Sequence, residues 1–560
     1  MKQTISTLAI VVMALSSMGQ NIIYNNGARI TTGTVGTQSY WVVSGGAFTL
    51  QSESTDNLAT FENLKIESGA SLVLTSATCL TVNNTLVNVP GIDGLTVPST
   101  STGTGSLMIM GSTSASGKVE RYMSAEAWHI VSAPATETLG GFLTRNLFIP
   151  QLGETSSLGM MDYNTGANNW NGYFTTGTGG SFASGQGYMV RTAIPDPVAP
   201  TILNFKGTLT AGSTNVTVAS GWNCIGNPFT TAILISNGDN SFLTVNGSTK
   251  LEKTDPAIDP SYYGVYYWND SQTRYDVVNN ASADPTYAQS GQGFFVKAKT
   301  GLVESGDGQN NFVTFTPAMQ VHKTALEFKA VALPYPSIKL LAINNEAKAS
   351  TDIKFIDGTT NGLDRGYDAG ILKAGETFSV YTKLVDDNGV EFQLQCLPNT
   401  GFSKIVIPIG IDSKTGGEIA FSAQTVQLDP TCKVILEDKL TNTFTDLSTN
   451  TYKVAVAANT ARTGRFYLHT GDIVSGLEDQ VLPGKLTAYA RRNTEIRVVG
   501  EVGNDAVATL YNGLGKVVLT KKLGAGTLNI IGLPNLSSGI YLLNIENNGT
   551  PQTIKVMVRK

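Results

Sequence analysis

Between residues 20 and 117, Val, Ile, Leu and Thr alternate with polar residues in short runs, and Gly, Ser or Asn interrupts the alternation every 8 to 12 residues. ENLKIESGASLVLT, CLTVNNTLVNV and DGLTVPSTSTGTGSLMIM are three such runs. A period of two puts alternate side chains on one face, which predicts strands rather than helices. Each unit is too short to bury that face alone. The stretch therefore reads as a short β-solenoid-like repeat region in which every unit packs on the next. A β-sandwich is the competing reading.

The pattern then doubles. AWHIVSAPATETL at 127–139 is echoed by GWNCIGNPFTTAI at 221–233, with Trp128 matching Trp222 and Pro134 matching Pro228. An aromatic strand with a hairpin-like turn follows in each copy, MMDYNTGANNW and VYYWNDSQTRY. Each copy then reaches SGQGYMVR (184–191) or SGQGFFVK (290–297). The offset is 94 residues at the Trp (128 against 222) and 106 at the Gln (186 against 292), so the second copy carries 12 extra residues. Four landmarks in one order predict duplicated β domains, at 118–210 and 211–320, or two halves of one sandwich. Each is expected to open with a buried Trp strand and close with an aromatic strand.

From 338 to 471 about nine short strand patterns with turn signals fit a further β-sandwich. Residues 477–560 offer about seven strands in 84 residues, a compact Ig-like domain of a size that folds alone. Helical periodicity is nearly absent, so the fold class is all-β and multidomain. A chain of 560 residues exceeds one core and suits three to five domains. Only 14% of residues are charged and Gly reaches 59, the mixture of short strands joined by tight turns.

The net charge of −5 leaves no basic footprint, so no nucleic acid is expected as a partner. It divides into +4 from residue 477 onward and −9 before it, an asymmetry that fits separate roles for the two parts. MKQTISTLAIVVMALSSMGQ has one Lys, an apolar run from 8 to 15, and Ser17 and Gly19 at −3 and −1 of a cleavage site before Gln20. That is the anatomy of a signal peptide over 1–19, too short to span a bilayer. No Cys follows the site, which argues against a lipoprotein anchor.

The C-terminal segment carries a resemblance. LYNGLGKVVLTKKL, with Tyr511, Asn512, Leu514, Gly515, Lys516 and Val517, precedes LPNLSSGIYLLNIENNG, with Gly539 and Tyr541, and then TIKVMVRK, with Lys555. This ordered set resembles the type A C-terminal sorting domain of the type IX secretion system, an outer-membrane export route of certain Gram-negative bacteria. The resemblance implies passage through the inner membrane by signal peptide, then recognition of the tail by the outer-membrane translocon. It also implies removal of the tail by the sorting protease at the surface, with attachment to anionic lipopolysaccharide or release. The protein is thus expected to be secreted or attached to the outer-membrane surface. A Gly-Ile-Tyr strand between small turn residues suits an exposed edge that a partner reads by strand addition. The body, with RYM…AWHIVSAP after GTGSLMI and later NGLDRGYDA and VILEDKLTNTFTDL, is similar to large β-rich surface proteins of that system. That similarity implies architecture and no chemistry.

Candidate chemistry is sparse. His129, His322 and His469 lie in separate strand regions, and G-x-S-x-G, H-E-x-x-H and C-x-x-C are all missing. Glu437 and Asp438 are adjacent, so on a strand they point to opposite faces and are poorly placed to share a substrate as acid and base; a turn role is expected. Asp357, Asp364 and Asp368 in DGTTNGLDRGYD put oxygen ligands on a Gly-rich loop, a candidate calcium site, although the spacing matches no EF-hand and Arg365 sits inside it. No other cofactor is expected. Export permits disulfides, and Cys396 could pair with Cys432 if their strands are neighbours, while Cys79 and Cys224 read as buried thiols. Trp170 and Trp268, in the two aromatic clusters, are candidate contacts for an extracellular glycan; sandwich core is the bland account. The leading expectation is a non-enzymatic, adhesin-like or scaffolding surface protein. The alternatives are a carbohydrate-binding surface protein and an extracellular hydrolase whose site spacing does not reveal.

Overall fold

Strands Ile22–Asn26, Gln38–Ser44, Leu58–Ile66, Cys79–Asn88 and Ser106–Ile109 stack in parallel in one sheet. Ile30–Thr32, Ala47–Ser52, Ser71–Leu74, Leu95–Val97 and Ser116–Tyr122 do the same in a second. The chain alternates between the two sheets and adds one rung per turn. That is a β-solenoid, and it decides against the sandwich for this region. Alternate residues fill the space between the sheets, where Trp41 stacks on Phe61 at 4.6 Å and meets Phe48 edge-on at 5.3 Å. Burying each such ring contributes about 1.5–3 kcal/mol.

This computed structural model describes residues 22–26, 30–32, 38–52, 58–146, 157–175, 177–192, 201–247, 258–270, 274–282, 284–300, 311–324, 335–345, 347–373, 376–400, 405–429, 432–471, 486–491, 494–534, 536–547 and 550–558. The expected signal peptide lies outside the described residues. Among the described residues no helix is long and apolar enough to cross a membrane. The chain divides into two compact units, Met1–Asp472 and Ile473–Lys560.

Within the first unit the expected boundary at 117/118 does not exist. Ser116–Tyr122 is the last solenoid rung, and Ile202–Leu209 joins it antiparallel over seven residue pairs. One apolar core accordingly runs from Trp41 to Leu209. The reason is edge chemistry: a solenoid ends in unpaired N–H and C=O groups, and the first copy of the duplicated element supplies the strand that covers them.

The duplication extends to topology. Trp128–Ser132, Gly187–Arg191, Met160–Asn164 and Asn169–Trp170 form a sheet in that order, and Gly221–Gly226, Gly293–Ala298, Val265–Asn269 and Arg274–Val278 form its counterpart. Each copy also has a short helix that the sequence reading missed, Leu139–Arg145 and Phe242–Asn246, capped by the hydroxyls of Thr138 and Ser241. Both contain the same signal, FLTRN at 142–146 and FLTVN at 242–246. Asn146 Nδ2 donates to Phe142 O (2.9 Å) and Asn204 O (3.2 Å), while its Oδ1 accepts from Asn204 N (2.8 Å). Asn246 repeats all three bonds, to Phe242 O (3.0 Å), Thr314 O (2.9 Å) and Thr314 N (2.7 Å). One element of the expectation fails: Trp222 is buried, but Trp128 is only half-buried.

The copies join reciprocally. Val131 bridges to Gln292 and Ile225 to Gln186, each residue meeting the partner of its twin. Ser132 N donates to Gly291 O (3.1 Å), and Gly226 N to Gly185 O (3.0 Å). The second copy is in turn bound to the next body through Tyr266 Oη to Gly370 O (2.7 Å) and Lys354 Nζ to Ala281 O (2.7 Å).

That body, 338–471, is one long sheet folded over a single core. Phe421 and Phe466 lie on strands far apart in sheet order, yet their rings are 5.1 Å apart across the core. Glu437 and Asp438 face opposite ways, but they end the strand Val434–Asp438 rather than occupy a turn. Glu437 meets His469 (2.8 Å), whereas the buried Asp438 accepts both Arg465 Nε (2.9 Å) and Nη2 (2.7 Å).

The second unit has a three-stranded sheet, Thr487–Arg491, Glu495–Val502 and Gly526–Gly532, and a four-stranded one, Val517–Lys522, Val507–Tyr511, Gly539–Asn547 and Thr550–Val558. They enclose their own core from Leu486 to Val558.

A cleft between the repeats and a C-terminal sorting domain

Where the last solenoid rung meets both copies, the structure leaves a cleft of about 540 Å³. Arg121 and Tyr122 enter it from the end of the rung, Trp128 and His129 from the first copy, and Trp268 and Asp270 from the second. Asp270 Oδ1 ties the walls together, accepting from Trp128 N (3.0 Å) and Trp268 Nε1 (3.2 Å). Arg191 places its guanidinium carbon 5.7 Å from the Trp128 ring centroid. Arg121 is 6% exposed, and burial pushes its guanidinium down to about 10. Burial likewise holds His129 below the usual imidazole range, against the opposing pull of its bond to Ser124 O (3.0 Å) and of Asp270. At neutral pH the cleft thus presents a desolvated cation, a neutral imidazole, a carboxylate already held by two N–H donors, and two indoles.

The two candidate glycan contacts lie in different surroundings. Trp268 lines the cleft, whereas Trp170 is an interior connector. Its ring meets Phe295 edge-on at 5.5 Å and Tyr163 at 5.3 Å, and its side chain hydrogen-bonds Tyr275. The ring contacts of Trp170 are packing contacts. From sequence Trp128 is a landmark of the duplication and not a ligand contact, and Arg121 carries no signal, because a Trp or Arg within an apolar strand gives no sign of which layer covers it.

The calcium expectation is not supported by the geometry. Asp368 is buried with its oxygens on Asp364 N (2.7 Å) and Cys396 N (2.7 Å), and burial pushes its carboxyl up to about 7. Asp364 accepts from Thr360 N (2.6 Å), and Asp357 is exposed. Asp364 and Asp368 are engaged within the protein and Asp357 stands exposed, and among the described residues no group of three or more His, Cys, Asp or Glu side chains is placed to hold a metal. Cys396 and Cys432 do not form a disulfide. Three strands lie between the Cys396 strand Phe392–Pro398 and Val434–Asp438, and Cys396 Sγ donates to Tyr367 O (3.2 Å).

His322 lies between two buried hydroxyls, with Nδ1 on Ser106 Oγ (2.8 Å) and Nε2 on Thr81 Oγ1 (2.8 Å). A serine nucleophile would need a carboxylate at the second nitrogen to orient the ring, and Thr81 occupies that place. The arrangement fastens 320–324 to the outside of the solenoid, together with Gln320 Nε2 on Ile109 O (3.0 Å).

In the second unit Asn512 Oδ1 accepts from Leu514 N (3.0 Å) and Lys516 N (2.9 Å), closing a turn in which Gly515 adopts φ +77°. Tyr541 packs inward and donates to Ser537 O (3.0 Å). The Gly539–Asn547 strand is interior to its sheet, paired with Val507–Tyr511 and Thr550–Val558, so it is not the open edge expected for strand addition. What it presents is a face: Ile540 and Leu542 are 46% and 43% exposed, and Leu542 lies in register with Tyr511 on one side and Lys555 on the other.

A search of curated proteins returns no match. Among solved structures the chain is similar, at 9% identity, to a biofilm associated protein BSP domain, with 79% of this chain and 92% of that chain covered and a TM-score of 0.18. It is also similar, at 9% identity, to a polysaccharide lyase, with a TM-score of 0.13; that match covers 40% of this chain and spans only 39% of the lyase. Residues 492–559 match the secretion system C-terminal sorting domain. The protein is therefore a type IX secretion cargo, carried to the cell surface or the extracellular space, and its tail interacts with that machinery. Residues 25–469 match the family described as domain of unknown function (DUF8693), and the chain belongs to that family.

Proposed function

We propose that the exported body works outside the cell as an adhesin-like, non-catalytic protein that holds an extracellular glycan in the cleft between its repeats. The observation that carries this reading is the pairing of Trp128 and Trp268 on the walls of one preformed space. Sugar rings offer apolar C–H faces to indoles and hydroxyls to fixed polar groups, and small-ligand sites are concave, largely apolar and mostly pre-built. Asp270 holds both the Trp128 backbone and the Trp268 ring before any ligand arrives, so little ordering is left for binding to do. The sorting tail is proposed to be cut by the sorting protease, leaving the body released or attached to anionic lipopolysaccharide.

Glycan-array screening of the protein lacking its signal peptide tests the reading. Trp268→Ala and Trp128→Ala are expected to abolish the signal, while Trp170→Ala, which touches no part of the cleft, lowers stability but leaves recognition intact in the folded fraction. No binding to any glycan by the folded protein would overturn it. Turnover of a bound polysaccharide would replace the non-catalytic reading with an enzyme.

A further inference from the structure

The duplication supplies an internal control for the aromatic wall of the cleft. Met160 and Val265 are twins, because the hairpins that follow them close on Asn164 with Asn169 and on Asn269 with Arg274. Val278, four residues past Arg274, faces Val265 and enters the core of the second copy. In the first copy it is Phe174, five residues past Asn169, that donates its N–H to Met160 O (2.8 Å) and packs on the core. The returning segment of the first copy therefore holds one additional residue, and Tyr173 is left outward, 44% exposed. The fold does not need it, since the second copy closes the same hairpin without it.

The twin tryptophans differ accordingly. Trp222 is buried, met edge-on by Tyr262 at 5.5 Å and by Tyr266 at 4.8 Å. Trp128 is half-buried, and the ring of Tyr173 lies 6.3 Å from it, within 18° of parallel. Carbon atoms of flat rings in face-to-face contact sit about 3.5–4.0 Å apart, so two rings with centroids 6.3 Å apart are offset in step and leave part of each face open. The cation beside the indole is common to both copies, Arg191 for Trp128 and Lys297 for Trp222, each 5.7 Å from the ring centroid. Tyr173 is the departure. Trp128 lines the cleft and Tyr173 does not, so the aromatic wall continues from Trp268 across Trp128 and out over exposed surface.

We infer that the site holds the interior of an extended, flat glycan chain, a β-1,4-linked polysaccharide, whose sugar residues pass from the cleft over Trp128 and onto Tyr173. This rests on the reading of the cleft as a glycan site. Two offset rings in near-parallel planes form a stepped floor. A β-1,4 chain fits that floor because its equatorial linkages keep successive sugar rings in one ribbon with C–H faces outward, whereas an α-1,4 chain curls away from it. A chain end or a short oligosaccharide is accommodated within the cleft of about 540 Å³ and gives Tyr173 nothing to hold. A tyrosine placed beyond it adds flat contact area at a small cost in side-chain ordering.

Calorimetry with the protein lacking its signal peptide tests it, using cellotriose, cellohexaose and the α-1,4-linked maltohexaose. Cellohexaose is expected to bind at least tenfold more tightly than either of the others. Tyr173→Ala, an exposed change outside the core, should keep the native melting curve, lower cellohexaose to the affinity of cellotriose and leave cellotriose unaltered. Equal binding of cellotriose and cellohexaose by the native protein would overturn the inference, because the site would then end inside the cleft. Equal binding of maltohexaose would overturn the flat chain. A length preference that survives in Tyr173→Ala, or loss of cellotriose binding there, would overturn the role of Tyr173. A glycan-array signal without cellohexaose binding would overturn the inference and leave the glycan reading standing, and absence of both would overturn both readings.

Discussion

Gly187 of the first copy lies against the backbone of Ile225 in the second, so close that a β-carbon on it would sit 2.8 Å from the Ile225 carbonyl oxygen and 2.5 Å from Cys224 Sγ. Gly293 repeats the relationship, 2.9 Å from Val131 O and 2.5 Å from Ile130 Cγ2. The second Gly of each Ser-Gly-Gln-Gly motif is therefore what lets the two sheets interlock, and it is the interlock that forms the cleft. Backbone cannot move aside as a flexible side chain can. Gly187→Ala and Gly293→Ala are each expected to destabilise the first unit by about 1–3 kcal/mol through overpacking. Thermal unfolding should show a lowered midpoint for both, and none for Gly172→Ala, where nothing lies within 4 Å.

Asn146 and Asn246 carry equivalent loads with unequal burial. Asn146 is fully buried and Asn246 only partly, and each satisfies a helix-end carbonyl together with both backbone groups of a strand residue. Removing the amide strands those groups without water to replace it. Asn146→Ala is expected to cost about 2–4 kcal/mol and Asn246→Ala roughly half of that. Denaturant titration would check the ranking, which reverses if the clasps matter only as helix caps.

His322 makes stability depend on pH in a defined window. Burial pushes its imidazole down to about 4 between Ser106 and Thr81. The unfolded chain therefore binds a proton near 6.5 that the folded chain refuses until about 4. Its contribution is fully present above pH 6.5 and is lost as pH falls towards 4. His129, also held low by burial, adds to the same slope. Melting temperature should fall from pH 7 to 4, and His322→Gln should flatten part of that fall. An unchanged profile would show that the ring is not held neutral.

How far the sequence carried depends on the range of the interactions concerned. The Trp41 and Phe61 rungs follow from alternation and turn spacing alone, because solenoid contacts are made between consecutive units. The duplication is legible at Trp128 and Trp222, but FLTRN and FLTVN give no helical signal, since helices of five to seven residues are too short to display a 3.6-residue period. Trp170 and Trp268 look alike in sequence; which one is covered depends on Phe295 and Tyr275 of the other copy. Pairing of Cys396 with Cys432 was conditional on strand order, and order in a folded-over sheet is decided by non-local contacts.

The sorting tail permits a separation of folding from delivery. It has its own core, and the first unit has cores that draw on no residue beyond Leu468. Deleting residues 473–560 is therefore expected to leave the melting of the body unchanged while the protein accumulates in the periplasm. A finer test leaves the tail in place. Ile540 and Leu542 are exposed on the outer face beside Tyr511 and Lys555, so Ile540→Lys with Leu542→Lys removes apolar surface without entering the core, which Tyr541, Leu543 and Ile545 supply from the other face. If the translocon reads that face, the double variant should keep its tail folded, as circular dichroism of the isolated 473–560 segment would show, yet reach the surface at a small fraction of the native level by protease accessibility on whole cells. Normal display of the double variant, with none for the deletion, would place recognition elsewhere on the domain, with the Asn512–Gly515 turn and its 95% exposed Leu514 next to be altered.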